Sequence, residues 1–113
     1  MTDMGKHDAL TVEHDADGVV VVHGDIDVAG GPVLDAAIRE REGVGPLVID
    51  LGDVHFIDSS GLRSLLGANR RAHDRATDVT LRHVRPEVRR LLEITGTLDH
   101  FIIEPDNIEH DRE

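Results

Sequence analysis

From Leu10 to His14 apolar and polar residues alternate, as in a strand with one face in a core. Asp15-Ala16-Asp17-Gly18 then supplies turn chemistry ahead of the uninterrupted run Val19 to Val22. The two segments predict a β-hairpin. Its first strand belongs at a sheet edge, and its second, apolar on both sides of the pleat, belongs in the sheet interior. Gly24 ends that strand, and Asp25-Ile26-Asp27-Val28 is predicted as loop. Gly30-Gly31-Pro32 opens a helix, with proline in the first turn where its missing N–H costs nothing. Val33, Leu34, Ala37 and Ile38 fall on one face of it. Gly43 or Gly45 stops the helix.

Leu47-Val48-Ile49-Asp50-Leu51 is a short apolar run after a turn and predicts another central strand; strand, helix, strand implies a right-handed parallel crossover. From Ser60 to Ala76 the residues Leu62, Leu65, Leu66, Ala72 and Ala76 recur at helical spacing, opposite Arg63, Arg70, Arg71, Asp74 and Arg75. That is an amphipathic helix with an arginine-rich outer face. Val79, Leu81 and Val84 predict a strand, Pro86-Glu87 begins a third helix burying Val88, Leu91 and Leu92, and Gly96 ends it. Phe101 to Ile103 predicts a last strand, while the acidic end from Asp106 either trails free or forms one more short helix. The expected fold is α/β, a mixed sheet of four to five strands covered by α-helices. It occupies residues 10–104, between an N-terminal tail (1–9) and an acidic C-terminal tail (105–113).

At 113 residues and 12.4 kDa the chain is long enough for one ordinary core and too short for two. It has no cysteine, which excludes disulfides, zinc thiolates and thiol nucleophiles and suits a reducing cytoplasm. Phe56 and Phe101 are its only aromatics, so the core is aliphatic and a base-stacking platform has no material. The longest purely apolar run is the four valines, too short for a membrane span or a secretory signal. A formal net charge of -11 argues against direct nucleic-acid binding and against lying on an anionic membrane. Its distribution adds more. Residues 1–57 sum to -9 and residues 91–113 to -6, whereas residues 58–90, with eight arginines against four acids, sum to +4.

The basic stretch opens on Asp53-Val54-His55-Phe56-Ile57-Asp58-Ser59-Ser60-Gly61-Leu62, which runs from a strand directly into the arginine-faced helix. Asp58 or Ser59 can serve as N-cap. Such a cap is common, and by itself it carries no further function. A helix N-terminus also favours a phosphate through its dipole and free N–H groups, which makes the hydroxyls candidates for regulatory phosphorylation.

Phe56-Ile57-Asp58-Ser59-Ser60-Gly61-Leu62 resembles the signature of the anti-sigma factor antagonists, the bacterial STAS-domain family. Gly24-Asp25-Ile26-Asp27-Val28 with Pro32-Val33-Leu34, and Val88 to Gly96, resemble that family's second-strand loop with first helix and its third helix, in the family's order. The resemblance implies a STAS fold and a non-enzymatic switch protein without cofactor. Such a protein binds an anti-sigma factor, often itself a serine kinase, and so releases a sigma factor to direct transcription. Phosphorylation ends the binding and a phosphatase restores it. The family's modified residue is the hydroxyl after the motif's aspartate, here Ser59, and the partner-contacting surface corresponds to Asp25, Asp27, Asp58, Ser60, Gly61, Leu62 and Arg63. A phosphate at Ser59 is expected to leave the fold intact because the helix terminus absorbs its charge. Arg63 departs from the family pattern, which often has glycine there; pairing with the phosphate, pairing with an acidic partner surface, and simple solvation are all open to it.

Other chemistries fit less well. The eight histidines form no i, i+4 pair on a helix and no HExxH motif, so no metal site is expected. Asp25 to Gly30 lacks the third ligand of a calcium loop, and Ala36 stands where the closing glutamate belongs. A serine hydrolase lacks its nucleophile elbow, since Asp58 and Leu62 flank Ser60 in place of glycines. Within the STAS family, the alternative is an accessory subunit of a membrane transport complex; the intact Asp58-Ser59 pair weighs against it.

Overall fold

A computed structural model describes residues 10–105. The N-terminal tail, and residues 106–113 with the optional helix expected there, lie outside the described residues. Five strands form one mixed sheet in chain order: β1 (Thr11–His14), β2 (Val20–His23), β3 (Leu47–Asp53), β4 (Val79–Arg82) and β5 (Ile102–Ile103). β1 and β2 are the antiparallel hairpin, with Thr11 opposite His23 and His14 opposite Val20, and every later neighbour is parallel. The hairpin turn closes because the Asp15 carboxylate accepts the N–H groups of Asp17 at 2.8 Å and Val19 at 2.9 Å, while Gly18 takes the left-handed φ of +83° that favours glycine.

The parallel neighbours are joined by α1 (Gly30–Arg41), α2 (Ser59–Asp74) and α3 (Pro86–Ile94), the last followed by a 3-10 turn at Leu98–His100. Alternate strand residues Val20, Val22, Leu47, Ile49, Leu51, Val79 and Leu81 are buried. Leu34 and Ile38 of α1, Leu65, Ala68 and Ala72 of α2, and Val88 and Leu92 of α3 join the same cluster, so the helices bury their apolar stripes against one face of the sheet. The intervening residues Val21, Val48, Asp50, Thr80 and Arg82 are only partly buried.

The pattern along the chain misplaces three side chains. Val33 remains 46% exposed, because α1 turns the line Gly30, Leu34, Ile38 inward and leaves Val33 on its shoulder. Ala76 is exposed beyond the end of α2, at a φ of +59°. Arg71, expected on the outer face, lies between α2 and α1, where its Nε donates to the Glu42 carboxylate at 2.7 Å and its Nη2 approaches Asp35 at 3.6 Å.

Candidate functional site

The start of α2 is built by Asp58, which takes the N-cap position with extended backbone (φ -102°, ψ -171°). Its Oδ1 accepts the N–H groups of Ser60 at 2.8 Å and Gly61 at 3.1 Å, and its carbonyl accepts that of Leu62 at 2.9 Å. Ser59 is therefore the first helical residue rather than the cap. Its side chain is exposed, and no hydrogen bond to its hydroxyl exists among the described residues.

The loop carrying Asp25 and Asp27 is stitched to this helix start. Ile26 and Ile57 form a parallel bridge in which Ile26 N–H donates to Phe56 carbonyl at 2.9 Å and Asp58 N–H donates to Ile26 carbonyl at 3.0 Å. Asp27 then starts α1: its carboxylate and its carbonyl each accept the Gly30 N–H at 3.0 Å, and the carbonyl also accepts that of Gly31 at 2.9 Å. Gly31 lies against Ser60, and the Ser64 hydroxyl donates to Gly31 carbonyl at 3.2 Å, so the two helix starts meet.

These contacts bring the expected surface together. Asp25, Asp27, Asp58, Ser60 and Leu62 are half-buried around the junction, and Arg63 is exposed one turn below Ser59, without an ion pair among the described residues. Gly61 is buried, and a Cβ there would run into Ile26 and Ile57, so this glycine sets the close approach of helix and loop. Between α1 and α2 runs an open furrow of about 410 Å³, lined by Val28, Pro32, Asp35, Ser60, Arg63 and Arg71 among others. Exposed apolar groups border the junction as well: Val28 is 72% exposed and Phe56 51% exposed. Sequence reasoning passed over both, although an aromatic beside the motif in a chain with two aromatics was a usable signal.

Asp58 already occupies the N–H groups of Ser60 and Gly61, so those two donors of the helix start are not free for a group added at Ser59.

Three histidines are tied to carboxylates elsewhere. His23 bridges Glu13 at 2.8 Å and Asp53 at 2.9 Å, His55 pairs with Glu87 at 3.1 Å, and His83 pairs with Asp50 at 3.0 Å. The hydrogen bonds to Glu13 and then Asp53 raise the His23 pKa above its ordinary 6.5. None of the described histidines bonds to Ser59 or Ser60, so among the described residues neither serine has a histidine placed as its base. Among the described residues no group of three or more histidines and carboxylates is placed to hold a metal ion, and no helix is long and apolar enough to cross a membrane.

The family model described as "Mlab, STAS domain" matches residues 9–104. The anti-sigma-B factor antagonist of Listeria monocytogenes is 36% identical over 101 residues, covering 86% of each chain. The crystal structure of an anti-sigma factor antagonist from Mycobacterium paratuberculosis matches with a TM-score of 0.69 at 31% identity, over 89% of this chain and 88% of that one. SpoIIAA, a Bacillus cell fate determinant, in its phosphorylated form shares the fold with a TM-score of 0.62 at 22% identity, over 92% of this chain and 98% of its own.

Proposed function

The chain belongs to the STAS-domain family of anti-sigma factor antagonists, which are non-enzymatic regulators, and from that premise we propose that it binds an anti-sigma factor through the junction around Ser59, releases a sigma factor, and is switched off by phosphorylation of Ser59. The observation that carries the proposal is the Ser59 side chain, which stands exposed at the first position of α2 and makes no hydrogen bond among the described residues. A kinase can reach it without unfolding the helix. Residues 10–104 form the binding unit in this reading, and the protein works in the cytoplasm, where the sigma factor and its inhibitor act.

Asp25, Asp27, Asp58, Ser60, Leu62 and Arg63 make up the contact surface, with Gly61 beneath it, and the exposed Val28 and Phe56 add apolar area at its rim. A phosphate adds about -1.5 to -2 charges to this surface. Because Asp58 already caps the helix, the new charge projects into the interface, and it ends the complex by bulk and by repulsion from partner acids. The kinase is the anti-sigma factor itself, and a separate phosphatase resets the switch.

The test begins by mixing the protein with candidate anti-sigma factors and ATP, followed by intact mass and mapping of any phosphate. One partner is expected to bind the unmodified chain and to add a single phosphate at Ser59. Ser59→Ala should bind without being modified, and Ser59→Asp should bind more weakly. Equal affinity of the two variants would falsify the switch. Co-purification with a membrane transport complex and with no ATPase would favour the accessory-subunit alternative.

A further inference from the structure

The arginines of the basic stretch divide into two sets. Arg71 and Arg75 pair with Glu42, Arg82 with Glu104, Arg85 with Glu87 and Arg89 with Glu93. Arg63 and Arg70 make no ion pair among the described residues, and both line one open groove of about 600 Å³ on the flank of α2. Leu66, Gly67 and His73 of the same helix and His100 of the 3-10 turn complete most of its wall, and no acid among the described residues contributes to it. Arg63 and Gly67 also line the furrow beside Ser60, so groove and furrow adjoin along the rim that these two residues form on α2.

We propose that the partner's footprint continues from the Ser59 end of α2 into this groove, and that an acidic segment of the partner, with an apolar side chain over Leu66 and Gly67, seats there. The inference rests on the reading of the chain as an anti-sigma factor antagonist and extends its interface by a second region. Three features select the occupant. Unpaired cations over a half-buried leucine attract carboxylates that also bring apolar contact, since desolvating a charge is favourable only where an opposite charge meets it. A second copy of this chain, at a net charge of -11, is repelled as a whole. Nucleic acid finds no Phe, Tyr or Trp among the described residues of the groove on which a base could stack, and the net charge of -11 repels its backbone. Gly67 forms part of the receiving surface: a Cβ there meets only one guanidinium nitrogen of Arg71, at 3.2 Å, and the rest of the space above it is open to a partner side chain.

The experiment measures affinity for the anti-sigma factor that binds the wild-type chain, by calorimetry, for Arg70→Glu, Gly67→Gln and Arg90→Glu. Arg90 is likewise exposed and without an ion pair among the described residues, but it lies on α3 and does not line the groove, so its reversal makes the same change in net charge elsewhere. Arg70→Glu is expected to weaken binding by about tenfold and Arg90→Glu by less than about twofold. Gly67→Gln, which adds bulk without charge, is expected to weaken it as Arg70→Glu does, with circular dichroism and melting temperature establishing that each variant is folded. If Arg70→Glu and Arg90→Glu weaken binding alike, or if Gly67→Gln binds as wild type does, the groove is overturned while the anti-sigma factor reading stands. If the wild-type chain binds no anti-sigma factor, that reading fails and the groove proposal fails with it.

Discussion

Within the helix that begins at Ser59, two glycines are kept for opposite reasons. Gly61 is buried beneath Ile26 and Ile57, where a methyl group has no room, so Gly61→Ala should lower stability by about 1–3 kcal/mol in a denaturant melt despite alanine's better helix propensity. Gly67 meets only the Arg71 guanidinium, at 3.2 Å, so alanine's better helix propensity offsets a small displacement there and Gly67→Ala should stay within about 1 kcal/mol of wild type, well short of the Gly61→Ala loss. Equal losses at the two positions would mean that the packing described for this helix is wrong. Asp58 is testable in the same way, because its roles as cap and as charge separate. Asp58→Asn keeps an acceptor for Ser60 and Gly61 and should cost a few tenths of a kcal/mol, whereas Asp58→Ala should cost about 1 kcal/mol. Near-equal losses would show that charge, not the hydrogen bonds, anchors the helix start.

At the scale of elements, α1 and α2 are fastened at two points, Ser64 to Gly31 near their starts and Glu42 to Arg71 and Arg75 near their ends. The Glu42 side chain is 8% exposed, so removing it leaves Arg71 partly buried without its main acceptor. Glu42→Ala should therefore cost about 2 kcal/mol, and a double-mutant cycle with Arg71→Ala should recover most of that as coupling. Additive losses would mean that the two helices are held by apolar contact alone. This fastening also marks the limit of what the sequence could reveal. Strand alternation and helical spacing located the five strands and three α-helices of the described residues because those signals are local, whereas the choice of Ser59 over Ser60 came from the family resemblance. Position on a helical wheel, however, placed Arg71 with Arg70 and Arg75, since nothing local to α2 says that α1 ends in a buried glutamate beside it. The same holds for the bridge between Ile26 and Ile57, which depends on the segments that follow β2 and β3 continuing side by side beyond the strands.

For the whole molecule, acidity of the medium should act through the hairpin. His23 bonds Glu13 of β1 and Asp53 of β3, and its raised pKa means that the folded state binds a proton more tightly than the unfolded chain does. That contribution is fully present below 6.5 and is lost as pH rises through the raised value. The stability advantage of wild type over His23→Gln should thus be largest on the acid side of 6.5 and shrink above it; a pH-independent gap in urea melts would remove the bridge from the account. Glu87 acts in the opposite sense. Its own backbone N–H, with smaller help from His55 and Arg85, lowers its pKa below 4.5, so its contribution is present above that value and is lost as the medium becomes more acid.

The bridge joining Ile26 to Ile57 has a further consequence for any enzyme that modifies Ser59. The serine is presented on a helix start whose neighbouring loop comes from a different part of the chain, so what a kinase meets is a shape assembled only in the folded domain. A peptide of residues 50–66 carries the whole motif yet lacks Asp25, Asp27 and the meeting of the two helix starts. Under identical conditions the kinase proposed above should modify that peptide far more slowly than the intact protein. Equal rates would mean that it reads linear sequence and that the junction serves binding alone. Under the proposed switch, the bridge would act as a proofreading device, admitting to modification only a chain that has finished folding.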